Sequence, residues 1–419
     1  MQLTYLKLKD TVLLEYNLEE NFFHILNNNL LPFSLRDKLI DTVSIDEEDA
    51  KALSKIYINN LSCLEEFFTN RSLSLSRENA KNILNYLELS QLNNFSQKAK
   101  IMALCHGLSV TDDFWITNEI NDKWENFNVR ENPLHESFQQ IALFGKSLPS
   151  ITGKFITPEL TVQGAYAKAW FREKSGLTLY KAGTNNGNEP QREVLASRLL
   201  NYFNVPHVNY SLEKFNNRIV SKCRSMVSDK YSIVTAAEVN TWCNHNNINF
   251  NEYVRNIDSE MFYKTIVVDY LIANRDRHDG NWGFYCNNET GKLECLHPLF
   301  DHNNAFDKEF MRDISGGNCQ LIPGKTQKDA ALYAIKHCDF RCTKSITKEI
   351  FNDREQYKTF MNRACELGLY KKVSFNILGL CDKYVPVELK KDNTNEYWEK
   401  LGMLNNNINS KTQHKEIER

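Results

Sequence analysis

Well past the middle of the chain an apolar helical run stops in Asn274-Arg275-Asp276-Arg277-His278-Asp279-Gly280-Asn281, and Pro298-Leu299-Phe300-Asp301 follows one hairpin's length later. No other feature limits the fold as much. An Asp and an Asn five positions apart, then an Asp behind an apolar run, place a loop at a helix end. Asn287-Asn288-Glu289-Thr290-Gly291 supplies the turn of a returning hairpin. Phosphoryl transfer from ATP needs such a set: Asp276 to accept the proton of the attacking hydroxyl, Asn281 and Asp301 to hold magnesium against the phosphates. The bland alternative is a polar surface loop, since Asp-x4-Asn alone says little. His278, Trp282-Gly283 and the strand end at Phe300-Asp301 lift the pattern above chance. His278 is expected to buttress the nucleotide side of this loop rather than transfer protons.

At 419 residues the chain is too long for one hydrophobic core, so two or three domains are expected. The net charge of -2 offers no broad basic surface, so neither nucleic acid nor a membrane face is expected as a partner. No run of eighteen apolar residues occurs. The first ten residues carry Lys7, Lys9 and Asp10 among apolar neighbours and read as a strand, not a secretory signal. Eleven cysteines without a CxxC point to free thiols in a reducing cytoplasm. His337-Cys338 with Cys342 lacks a second ligand pair and reads as structural.

Residues 3–16 read as strands. A capping box at Ser44 and Glu47 opens a helical face through Ala50, Leu53 and Ile56, and two helices follow at 79–89 and 96–105. The Gly, Ser, Pro and Thr mixture at 144–158 is the best domain boundary. Beyond it, β-rich runs at 162–171 and 177–181 flank Glu173-Lys174-Ser175-Gly176 as a hairpin. Residues 185–188 read as a loop, Pro190 starts a helix through Glu193, and 208–223 reads as strand. Asp258 can cap the helix that delivers Asp276. Further helices are expected at 348–367, 373–384 and 395–404, with a solvated tail at 405–419.

Phosphate binding also asks for a strand lysine paired with a helix glutamate. Lys181 ends a strand-like run and Glu193 lies on the next helix. Glu189 competes, but Ala196 and Leu200 share the helix face of Glu193 and turn it inward. A lone Lys-Glu pair is more often a surface ion pair; only the order Lys181, Glu193, Asp276, Asp301 raises it. Gln163-Gly164 to Lys168 would cover the phosphates, although a plain turn explains one glycine equally well. Backbone groups near Lys222 and Cys223 would border the adenine.

Together these residues resemble the HipA-like serine/threonine kinases, distantly similar to the phosphoinositide-kinase group. The resemblance rests on Gln163-Gly164 to Trp170, Leu179-Tyr180-Lys181, Glu193 to Ser197, the Asn274 to Gly283 stretch and Leu299-Phe300-Asp301, across about residues 150 to 390. It implies an α+β, bilobal kinase core with a β-rich N-lobe and a helical C-lobe. It also implies ATP and magnesium as cofactors, a protein hydroxyl as acceptor, Asp276 as base, and Asn281 and Asp301 as metal ligands. A toxin–antitoxin setting makes an antitoxin or regulatory protein an expected partner. The division is then 1–150, an extra mixed α/β accessory region for docking or regulation; 151–235, N-lobe; 236–404, C-lobe; and 405–419, tail. The glycine loop has no serine, unlike loops silenced by phosphorylation in such toxins, and His302-Asn303-Asn304 replaces Phe-Gly after Asp301. The same loop chemistry also serves a small-molecule or lipid kinase, or a nucleotide-binding pseudokinase that acts as an interaction module.

Overall fold

Alternating apolar and polar residues open the chain as strands. β1 (Thr4–Leu8), β2 (Thr11–Asn17) and β3 (Phe22–Ile25) follow one another in the computed structural model, which describes residues 2–43, 45, 50–89, 94–146, 156–184, 187–374 and 383–386. Helices α1 (Ala50–Asn70), α2 (Ala80–Tyr86) and α3 (Phe95–Leu104) come next, then β4 (Phe114–Thr117) and α4 (Glu136–Phe144). The middle holds β5 (Lys168–Glu173), β6 (Gly176–Ala182), α5 (Glu189–Leu200), β7 (Ser211–Phe215), β8 (Arg218–Arg224) and β9 (Tyr231–Thr235). After α6 (Ala236–His245) and α7 (Phe250–Leu271) come β10 (Gly283–Asn287) and β11 (Leu293–Leu296). The chain continues through α8 (Lys308–Arg312), α9 (Gln327–Ala334), α10 (Arg354–Glu366), β12 (Tyr370–Ser374) and β13 (Lys383–Pro386). The fold is mixed α and β, and its named strands pair antiparallel.

The chain divides into two compact units. One comprises Met1–Val194, Asn209–Asp258 and His278–His297; the other comprises Leu195–Val208, Ser259–Arg277 and Pro298–Arg419.

Among the described residues the first unit holds three sheets. In the sheet ordered β3-β2-β1-β4, Leu6, Leu14 and Phe23 are buried with Leu64, Phe67 and Phe68 of α1. In the sheet ordered β5-β6-β8-β7, Ala169, Tyr180, Ala182 and Val220 bury against Ile83 of α2 and Phe138 and Ile141 of α4. Removing each large apolar side chain from water contributes roughly 1.5–3 kcal/mol, which makes α2 and α4 the backing of this sheet. The third sheet, β11-β10-β9, is the expected hairpin with β9 added on its other side. In the second unit Phe203 packs against Phe340 and Phe360, and Arg363 donates to the Tyr270 carbonyl at 2.6 Å.

Most element readings agree with this order, and some boundaries move. The hairpin's first strand begins at Lys168, not at 162, because Gly164 sits at φ +98° and takes the chain out of extended conformation. The run 208–223 is two strands, turned at Asn216 and Asn217 with φ of 47° and 65°, the left-handed pair a tight hairpin needs. Helix α7 leaves helical angles at Asp258, the expected cap position. The helix expected at 373–384 is corrected: its ends lie in β12 and β13, which pair antiparallel, and residues 375–382 lie outside the described residues. Val373 on one side, and Tyr384 and Val385 on the other, are β-branched and aromatic residues that strands favour over helices. The Ser44–Glu47 cap, the centre of the 144–158 boundary, part of the 185–188 loop, the 395–404 helix and the tail fall outside the described residues. No helix among the described residues is long and apolar enough to cross a membrane.

Candidate active site

Strand pairing fixes the first half of the site. Lys181 in β6 lies opposite Lys168 in β5 and Ser221 in β8, so the three form one row on one sheet face. The Lys181 Nζ stands 3.2 Å from Glu193 Oε1, and the Ser221 hydroxyl donates to Glu193 Oε2 at 2.5 Å. Lys181 is 5% exposed and Glu193 is fully buried. Ala196 and Leu200, also buried, turn this side of α5 inward as the spacing predicts. Glu189 instead meets Thr184 at 2.9 Å and Arg192 at 3.8 Å. A buried ion pair broken on one side is strongly destabilising, so these partners hold each other's geometry.

The loop 163–168 lies against this row. A side chain at Gly164 would meet Lys168 Nζ at 2.5 Å, and the Tyr166 ring centroid is 5.9 Å from Lys181 Nζ. The Gln163 amide is engaged by the carbonyls of Asn70, at 3.3 Å, and Ser72. Cys223 pairs with Leu179 and is buried. Lys222 points to the opposite face from Lys181, where Glu213 and Glu173 meet it at 2.6 Å and 3.4 Å. The hydrogen bond to Glu213 raises its pKa above the ordinary lysine value.

Asn281 also belongs to the first unit. Its N–H donates to the His278 carbonyl at 2.8 Å, and His278 Nδ1 faces the Gly280 N–H at 3.1 Å. The N-terminus of α6 pins this turn: the Ala236 and Ala237 N–H groups donate to the carbonyls of Trp282, at 2.9 Å, and Asp279, at 3.0 Å. Thr235 and Glu238 cap α6 reciprocally.

The second unit carries Asp276 and Asp301. Asn274 ties the end of α7 to the loop: its amide donates to Asp269 at 2.9 Å, and its Oδ1 accepts from the Asp276 N–H at 3.2 Å. Arg277, 1% exposed, donates to Asp269 at 2.9 Å and to the Phe300 carbonyl at 2.8 Å. Burial opposes its charge, but Asp269, then Asp301 and Asp276, hold its pKa above the ordinary value. Asn304 donates to Asp276 Oδ2 at 2.7 Å. Asp301 has φ 56°, a left-handed conformation uncommon outside glycine. Arg277 and Asn304 thus bind the Asp276 loop to the 300–304 turn.

Ser221, Asp269, Arg277 and Asn304 were not singled out from the sequence. The only local signals were the Arg277 inside the loop and the polar run after Asp301; Ser221 and Asp269 act through partners far away in sequence.

No protein-family model matches the chain. A serine/threonine-protein kinase of Helicobacter pylori, CtkA, is 26% identical over 124 residues, a match covering 26% of this chain and 38% of that kinase. The crystal structure of the proinflammatory kinase CtkA from H. pylori is 16% identical, with a TM-score of 0.36, over 49% of this chain and 90% of that one. A chain of the HipA, HipB and operator-DNA complex of Shewanella oneidensis MR-1 is 12% identical, with a TM-score of 0.45, over 87% of this chain and 95% of that one. The resemblance to the HipA-like kinases holds. The sequence match reaches well under two thirds of the curated kinase's length.

Proposed function

We propose that the chain is an ATP- and magnesium-dependent kinase with a HipA-like bilobal core, transferring the γ-phosphoryl group to a protein serine or threonine hydroxyl. One observation carries this reading: Lys168 and Lys181, both buried, stand directly opposite each other on one sheet face, with Glu193 on Lys181 and a glycine loop against them. Ammonium groups beside a glycine loop are the donors that phosphate oxygens take.

In this reading Lys181 contacts the phosphates and Glu193, held by Ser221, orients its ammonium. Main-chain groups at Gln163 and Gly164, with Lys168, cover the phosphates, and main-chain groups at Lys222 and Cys223 border the base. The Asp276 carboxylate accepts the proton of the acceptor hydroxyl as its oxygen bonds to the γ-phosphorus and the bond to the ADP oxygen breaks. His278 buttresses the turn. Asn281 and Asp301 offer amide and carboxylate oxygens, the donor chemistry a hard cation takes, and so are the residues that would hold magnesium. Bound magnesium would neutralise charge on the phosphates.

Residues 1–150 serve docking or regulation, 151–235 the N-lobe and 236–404 the C-lobe, followed by a tail at 405–419. The setting is a reducing cytoplasm, where the ten free cysteines among the described residues stay reduced. The regulatory partner fits an antitoxin-like protein.

The test is labelled ATP with magnesium, the purified chain and a host lysate. The wild type is expected to label itself or a lysate protein. Asp276→Ala should lose at least about a hundredfold in transfer while retaining ATP affinity. Label found only in metabolites or lipids, or ATP bound without transfer, overturns the reading.

A further inference from the structure

The N-terminal third contributes no residue to the proposed chemistry, yet its segment 70–78, from the last residue of α1 to the approach to α2, grips the glycine loop along its length. At one end the Gln163 amide donates to the carbonyls of Asn70 and Ser72. In the middle the Glu78 N–H donates to the Ala165 carbonyl at 2.8 Å. At the far end Arg77 donates to the Lys168 carbonyl. The Arg77 guanidinium also donates to the Glu159 carbonyl at 2.9 Å and to Glu159 Oε2 at 3.0 Å. Glu159 Oε1 accepts from the Trp170 N–H at 2.7 Å, so this pair grips β5 directly after Lys168. Both side chains of the pair are 0% exposed. The Glu78 carboxylate reaches Arg218 at 2.9 Å, and Arg218 donates to the Gly183 carbonyl, also at 2.9 Å, two residues beyond Lys181.

A buried ion pair is a poor source of stability, because desolvating both charges offsets most of their attraction. It is an effective source of geometry, since a guanidinium fork meets its acceptors in one arrangement. We infer that Arg77 is a positioning residue for the phosphate loop, and that segment 70–78 is a brace fixing residues 163–168 beside Lys181. Lys168 is then placed from both sides: by its cross-strand partner Lys181 and by the Arg77 hydrogen bond to its own carbonyl. The inference rests on the phosphotransfer reading in one respect, that 163–168 faces phosphates.

Two variants separate this role from simple loss of fold. Arg77→Lys keeps a cation beside Glu159 but cannot span Glu159 and the Lys168 carbonyl together. Gln163→Ala removes an exposed tether. Calorimetric titration of the full chain with magnesium-ATP and with adenosine supplies the readout. Both variants are expected to weaken ATP about tenfold while leaving adenosine within about twofold, because the brace orders the loop over the phosphates and not the base. Equal loss for both ligands, or no loss for either, overturns the inference while the lysate assay still judges phosphotransfer on its own. Hydrogen exchange gives a readout independent of nucleotide. The Glu78 amide, which donates to the Ala165 carbonyl, and the Trp170 amide, which donates to Glu159, should exchange about tenfold faster in Arg77→Lys, with the amides of α5 unchanged. Unaltered exchange at both positions also overturns it.

Discussion

A carboxylate acts as a base only when its orientation is held, and Asp276 is held by two asparagines. Asn274 Oδ1 accepts from its N–H, and Asn304 donates to its Oδ2 at 2.7 Å. Asn304→Ala removes one hydrogen bond that orients the carboxylate. In the proposed kinase, kcat should fall about tenfold, with ATP affinity unchanged, when initial rates and nucleotide titrations are compared. An unaltered kcat would remove Asn304 from the site. At this scale the sequence exposed residues that carry their chemistry in a local pattern. Asp276, His278 and Asn281 lie in one loop, and Lys181 and Glu193 are ordered by strand and helix. Glu193 was preferred over Glu189 from helix periodicity alone, and the ion pair at 3.2 Å is with Glu193. Partners set by folding had no such pattern. Ser221 lies 28 residues from Glu193 and Arg77 lies 82 from Glu159, and no spacing rule links either pair.

Elements were legible where periodicity and turn chemistry agree. The β10–β11 hairpin was readable from Asn287 to Gly291, and the β5–β6 hairpin from Gly176, because each turn lies between β-rich flanks. The tip of β7–β8 at Asn216 and Asn217 interrupts a run, 208–223, whose composition reads as strand throughout, so its turn shows only in the left-handed backbone. The capping box of α6 was also present in the sequence, as Thr235-Ala236-Ala237-Glu238. It has a consequence beyond the helix, because the N–H groups of Ala236 and Ala237 hold the turn that carries Asn281. Thr235→Ala removes a cap worth about 1 kcal/mol. The urea midpoint should fall accordingly, and in the proposed kinase the magnesium concentration needed for half-maximal transfer should rise. A lower midpoint with an unchanged magnesium requirement would show that α6 stabilises the fold without setting Asn281.

Across the whole molecule, tyrosines buried by folding make a quantity that no single element predicts. Tyr16, Tyr253, Tyr270 and Tyr285 have pKa values raised first by desolvation, as do Tyr231 and Tyr180, the last reaching about 12. Hydrogen bonds to Glu366, Glu294 and Glu173 add to the effect at Tyr270, Tyr231 and Tyr180. The sign follows from proton counting. A free phenol ionises near about pH 10, so above that pH the unfolded chain gives up protons that the folded chain keeps. The stability these phenols support is complete below pH 10 and is lost as pH rises from there through the folded values. Each fully released phenol costs about 1.4 kcal/mol per pH unit. The urea midpoint should therefore begin to fall near about pH 9, where unfolded thiols ionise while burial keeps Cys105, Cys243, Cys286 and Cys338 protonated, and fall more steeply above 10, with part of the phenolate absorbance appearing only as the protein unfolds. Tyr285→Phe should make the fall shallower, because Tyr285 is 0% exposed and its ionised form is among the least tolerated in the fold. If every phenol titrated together near pH 10 while the midpoint held level, burial of these rings would not be what joins side-chain packing to the stability of the chain.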